Sequence, residues 1–108
     1  MSQPLERRII ARARALIASP GSWTQGEFAR DANDAPVNWR SPEAVRFCVW
    51  GALNRAAYEM TGDKRQSITL AERAAATLRN GRSLSGVNDR GPHTEVLRVL
   101  DRYLTARG

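Results

Sequence analysis

Cys48 and His93 each occur once in the chain. A thiol beside an imidazole can supply a nucleophile and its base. Such a cysteine needs an accessible sulfur and a lowered pKa, from a helix N-terminus or a neighbouring cation. Cys48 stands among Phe47, Val49 and Trp50, in a stretch whose pattern places it about two turns into an apolar helix. A cysteine there behaves as a small hydrophobe, so the sequence favours core packing over catalysis. His93 stands just ahead of the last helical stretch, where a solvent-facing or capping role is expected.

Metal and nucleotide chemistry fare no better. Asp31, Asn33 and Asp34 have the opening spacing of a calcium loop. The next two positions call for an oxygen donor and a glycine, and the chain has Ala35 and Pro36. A zinc site would need more Cys or His than one of each. No glycine-rich run precedes a Lys with Ser or Thr, which excludes a phosphate loop. Glu43, Glu59 and Glu95 are scattered, without the paired geometry of a carboxylate catalyst. No catalytic residue, metal or cofactor is predicted.

Two polar pairs stand out, Arg30-Asp31 and Asn88-Asp89. Arg30 or Asp31 is expected to reach the second pair and tie the first long connection to the start of the last helix. The functional version of this expectation is a pocket lined by Trp23, Arg30, Asp31, Asn88 and Asp89.

Net charge is +6, with sixteen arginines against the single Lys64. Arginine's planar fork suits phosphate and carboxylate recognition, although a GC-rich genome would produce the same bias. Residues 1–19 carry Arg7, Arg8, Arg12 and Arg14 against one acid, a net of +3. Residues 63–82 carry Lys64, Arg65, Arg73, Arg79 and Arg82 against two acids, again +3. Joined in space, the two segments would make a basic patch for an anionic partner. Residues 24–30 resemble the first helix of a helix-turn-helix, but 33–36 replace its turn and Pro42 interrupts any recognition helix. That motif is rejected.

The elements that must carry these residues are mainly helical. A length of 108 residues, with 42% hydrophobic and 26% charged, predicts one globular domain with a modest core. Four helices are expected, over about 4–18, 42–60, 67–80 and 94–106. Leu5, Ile9, Ala13, Leu16 and Ile17 give the first its apolar face; Ser2 is placed to cap it. Ser41, Pro42 and Glu43 read as the start of the second, and Gly62 as its stop. This second helix is apolar almost all round and is predicted to be the buried centre of the domain. Its strip of Cys48, Gly51, Ala52 and Ala56 would let another backbone approach closely. Ile68, Ala71, Ala75 and Leu78 form the stripe of the third helix. Val96, Leu97, Val99, Leu100, Tyr103 and Leu104 form that of the fourth.

Between the first two helices, a small β-hairpin is expected from residues 28–31 and 36–39, anchored by Trp23, Phe28 and Trp39. Thr24 and Glu27 could open a helical turn. Residues 82–91 read as irregular, with Leu84 and Val87 tucked inward.

The blocks Trp23-Thr24-Gln25-Gly26 with Ala29-Arg30-Asp31, then Cys48 with Gly51-Ala52-Leu53, then Asn88-Asp89 with His93-Thr94-Glu95-Val96, resemble a family of small bacterial and phage proteins of unknown function. The resemblance spans roughly residues 5–104 and implies no activity or ligand. The N-terminus lacks the apolar region of a signal segment, and no stretch is long enough to span a membrane, so a cytoplasmic location is expected. The function read from sequence is a non-catalytic interaction module, for a protein partner or self-association. The alternatives are sequence-independent nucleic-acid binding through the arginines, and an enzyme with an unrecognised site.

Overall fold

The computed structural model describes residues 4–106. Among these lie five α-helices: α1 Leu5–Leu16, α2 Val49–Thr61, α3 Lys64–Arg79, α4 Leu84–Arg90 and α5 His93–Thr105. Strands β1 Ala29–Arg30 and β2 Arg46–Phe47 lie between α1 and α2 and pair antiparallel, Ala29 opposite Phe47 and Arg30 opposite Arg46. Ser2, the cap expected for α1, lies outside the described residues.

The helices are held by one apolar core. Ile9, Ile10, Ala13 and Ile17 of α1 and its C-cap are fully buried at helical spacing. They pack where α1 meets α2, α3 and α5. Small side chains line both α2 and α3: Ala52, Ala56 and Ala57 on one, Ala71, Ala74 and Ala75 on the other. Only the turn at 62–63 joins these helices, with Gly62 at φ 67° ending α2 and the Asp63 carboxylate accepting Gln66 N–H at 2.8 Å to open α3. Val96, Val99 and Leu100 of α5 complete the core. No helix among the described residues is long and apolar enough to cross a membrane.

Five departures from the expected layout are seen. The second helix starts at Val49, not at residue 42, because the backbone ahead of it is used by other segments. Val45 N–H donates to Arg30 O at 2.9 Å, Cys48 N–H to Phe28 O at 3.1 Å, and Phe47 O accepts Thr24 N–H at 3.0 Å. The Ser41-Pro42-Glu43 signal opens only a turn, with Ser41 Oγ accepting Glu43 N–H. The hairpin partner of β1 is therefore β2. Residues 36–37 flank β1 on its other side through a single bridge at Pro36, which has no N–H to extend a ladder.

A fifth helix, α4, occupies residues read as irregular. Its seven residues include Gly86, which hides it from periodicity, yet Ser83 Oγ caps it by accepting Gly86 N–H at 3.1 Å. The helical turn sits at Pro20–Ser22 instead of at Thr24. Finally, Ile68 and Phe28 do not anchor the core; they are 37% and 54% exposed.

Candidate functional site

The loop 23–26 docks on the last turn of α4 through one buried side chain. Asn88 is 1% exposed. Its Oδ1 accepts Trp23 Nε1–H at 2.8 Å and Val49 N–H at 2.9 Å. Its Nδ2 donates to Thr24 O at 3.1 Å and to Asp89 Oδ1 at 3.0 Å. An asparagine amide offers two donors and an acceptor oxygen with two lone pairs. All four capacities are filled. The bond to Val49 also satisfies one of the donors that the start of α2 leaves without an intrahelical partner. Around it, Gln25 Nε2 donates to the carbonyls of Asn88 and Gly91, and Gly26 N–H donates to Asp89 Oδ1.

Cys48 is the residue before α2, not two turns inside it. Its Sγ accepts Gly51 N–H at 3.3 Å, so the thiol caps the helix. It lines a cleft, but only 8% of the residue is exposed. Burial, with a smaller push from the Asp89 carboxylate, raises the thiol to about 11, against hydrogen bonds that pull it down. The helix N-terminus is there, and desolvation wins over it. His93 is no partner: its Nε2 lies 2.7 Å from Ile17 O, and its ring packs 5.2 Å from that of Trp23. Gly51 explains the close approach expected along this helix. A Cβ there would stand 2.8 Å from the carbonyl carbon of Phe28 and closer still to its oxygen.

Two clefts flank this junction and share the walls Phe28, Trp50 and Ser85. The first, about 250 Å³, adds Cys48, Asn88, Asp89 and Glu27. The second, about 450 Å³, adds Trp39, Asn54, Ile68 and Glu72. Phe28 stands at both with its ring outward because its backbone is pinned by Cys48 N–H and pressed on Gly51. Asn54 is 6% exposed; its Nδ2 donates to Trp50 O at 2.9 Å, and its Oδ1 is buried with no hydrogen-bond partner among the described residues.

Of the residues singled out from sequence, Trp23, Asn88 and Asp89 come together, and Arg30 and Asp31 do not join them. Arg30 is spent on Thr24 Oγ1 at 2.8 Å and on the carbonyls of Asp34 and Gln25. Asp31 Oδ1 closes its own turn by accepting Asn33 and Ala35 N–H. The expected tie between the two polar pairs is thus made by Trp23, Thr24, Gln25 and Gly26.

The α1 arginines are largely committed. Arg7 donates to Leu104 O, Arg14 pairs with Asp101 at 2.9 Å, and Arg12 pairs with Glu59 at 2.7 Å and holds that carboxyl below its ordinary range. Arg82 meets Glu95 at 3.5 Å. Arg8, Lys64, Arg65, Arg73 and Arg79 make no ion pair among the described residues. Arg65 and Arg73 share a groove with Leu5 of α1, so the two basic segments adjoin there. Sequence reasoning passed over Phe28, Asn54, Ile68 and Glu72 as cleft residues. Only Asn54 carried a signal, as a polar amide inside an apolar helix.

A family model described as a family of unknown function (DUF6197) matches residues 1–105. No curated protein and no solved structure matches the chain.

Proposed function

We propose that this chain, which belongs to that family of unknown function, is a non-catalytic recognition module whose binding surface is the pair of clefts walled by Phe28 and Trp50. One observation carries the reading: Phe28 keeps 54% of its surface exposed although its backbone is fixed on two sides. The exposed ring is not isolated: it adjoins Trp50, Trp39 and Ile68 along the clefts. A contiguous apolar patch of this kind is a feature of interaction surfaces. The clefts have the mixed lining of ligand sites, mostly apolar with a few convergent polar groups. The groups that suggested chemistry are instead used internally, Cys48 as a helix cap and His93 as a link to α1.

A fragment screen by amide NMR tests this. Shifts gathered on Phe28, Trp50, Ile68 and Ser85, and lost in Phe28→Ser with its melting temperature unchanged, are the expected result. Shifts confined to the arginine-bearing faces of α1 and α3 would overturn it.

A second reading, anion binding, is supported by Arg65 and Arg73 in the groove beside Leu5, which make no ion pair among the described residues. Retention on a nucleic-acid column that falls steeply with salt, and falls further in Arg65→Gln with Arg73→Gln, is its expected signature. Salt-insensitive or absent retention excludes it.

A further inference from the structure

We infer that the groove between α1 and α3 docks an acidic segment of a protein partner, a helix that lays apolar side chains between two carboxylates. The inference rests on the second reading, anion binding, and is independent of the clefts at Phe28 and Trp50.

Helix α3 carries two stripes, and only one of them is covered. Ser67, Ala71, Ala74, Ala75 and Leu78 are buried against the core. Gln66, Thr69, Leu70 and Arg73 recur at i, i+3, i+4 and i+7, the spacing by which one helix face packs on another. This second stripe walls a groove of about 620 Å³, with Leu5 of α1 on the other side. Leu5 is 38% exposed and Leu70 half-buried, so the middle of the groove is apolar and open.

Charge identifies the occupant. Arg65 and Arg73 bracket Thr69 and Leu70 along α3, about 12 Å apart at about 1.5 Å of rise per residue. Neither makes an ion pair among the described residues. The acids beside them in sequence are used elsewhere. Asp63 Oδ1 accepts Gln66 N–H at 2.8 Å as the cap of α3, and Glu72 lines the aromatic cleft on a different side of the helix. Arg8, one turn beyond Leu5 on α1, is exposed and also without an ion pair among the described residues. Such an excess steers a negative partner to the groove and fixes its register. Each arginine fork can take a carboxylate through two parallel hydrogen bonds.

The apolar floor decides between a protein and a phosphate backbone. Interfaces with nucleic acid are more polar and far more positive than those between proteins, and a phosphodiester chain offers nothing to Leu5 and Leu70. An amphipathic helix offers both contacts, with apolar anchors at helical spacing and acids at either end of them. Two helical turns rise about 11 Å, which matches the separation of the two arginines.

The test titrates the whole chain with a labelled helical peptide of about 15 residues, bearing two glutamates two turns apart around a pair of leucines. Control peptides carry glutamine for glutamate or serine for leucine, and a short DNA duplex stands for the phosphate backbone. Binding is followed by fluorescence anisotropy and amide NMR. The parent peptide is expected to shift Leu5, Thr69 and Leu70, with each control peptide at least about tenfold weaker. Arg65→Glu with Arg73→Glu should abolish binding at an unchanged melting temperature. A peptide with lysines in place of its glutamates should then bind that double variant, a rescue that a misfolded protein could not give.

A glutamine or serine peptide that binds as well as the parent, or a failed rescue by lysine, overturns the proposal. DNA that binds more tightly than the peptide at the same residues overturns the protein segment and leaves anion binding standing. No shift at these residues with any probe up to about 1 mM overturns both and leaves the reading of the clefts untouched.

Discussion

Among the described residues two asparagines are buried, one beside each cleft, and their surroundings are opposite. Asn88 fills every hydrogen-bonding position it has, joining the 23–26 loop, the start of α2 and Asp89 around one amide. Asn54 fills one side of its amide and leaves Oδ1 with nothing. A buried polar group adds to stability only when its partners replace the water it gives up, and costs when they do not. Asn88 therefore belongs to the folding of the chain. Asn54 is a polar group that the fold leaves half used. The same contrast runs through the charges. Glu59 and Asp101 are matched by Arg12 and Arg14, while Glu27, Glu72 and Asp89 at the clefts have no ion pair among the described residues.

The largest effect is expected at Gly51, which sets both regions at once by carrying the Phe28 carbonyl. Gly51→Ala gains about 1 kcal/mol of helix propensity. It also drives a methyl group into backbone that cannot rotate away. Overpacking costs about 1–3 kcal/mol and the contact here is with backbone, at the severe end, so net destabilisation is expected in urea denaturation. A neutral result would mean that the Phe28 segment is free to lift, and the clefts would lose their shared wall.

Next comes Asn88→Ala, which strands Val49 N–H and Trp23 Nε1–H in the interior. A loss of about 2–3 kcal/mol is expected, together with earlier amide exchange at Trp23–Gly26 than in α1. A loss below about 0.5 kcal/mol would mean that apolar packing, and not this amide, docks the loop.

How much of this was readable follows from range. Helices with long apolar stripes were legible because period alone specifies them, and α1, α3 and α5 lie within a few residues of their expected bounds. The start of α2 was not. Ser41-Pro42-Glu43 is a good local start signal, but Arg30, Phe28 and Thr24 claim the backbone groups of 45–48, and pairing between distant segments leaves no local mark. That one shift moved Cys48 from a helix interior to a helix cap. The Asn88-Asp89 pair was legible as one end of a tie to the first long connection, whereas the identity of its partners depended on α4, whose short span and glycine hid it. Phe28 looked like an anchor by residue type. Only its fixed backbone turns the ring outward.

Cys48 sits between the two regions and gives a smaller, two-part prediction. Cys48→Ser keeps a cap acceptor for Gly51 N–H and should change stability by no more than about 1 kcal/mol. In the native chain the thiol, raised from 9.0 to about 11, is mostly protonated at neutral pH. Its alkylation should run about a hundredfold slower than that of a free cysteine near pH 7 and rise about tenfold for each pH unit towards 10. The sign follows from the thiolate being the reacting form, whose fraction grows with pH until the folded pKa is passed. Fast labelling at pH 7 would place an open sulfur at the first cleft and revive the enzyme reading.

The smallest effect carries the most information. Asn54→Leu keeps the shape of the side chain, removes the unpartnered oxygen and gives up only the bond from Nδ2 to a helix carbonyl. With no ligand present, its unfolding free energy is expected to stay the same or rise by up to about 1 kcal/mol, opposite in sign to the change at Asn88. The two measurements share a residue type, a burial class and a method, so the sign alone separates them. A loss at Asn54 as large as that at Asn88 would mean that both amides serve the fold, and the difference between the clefts would then be one of shape only. A gain would mark Asn54 as a buried polar group that folding does not require.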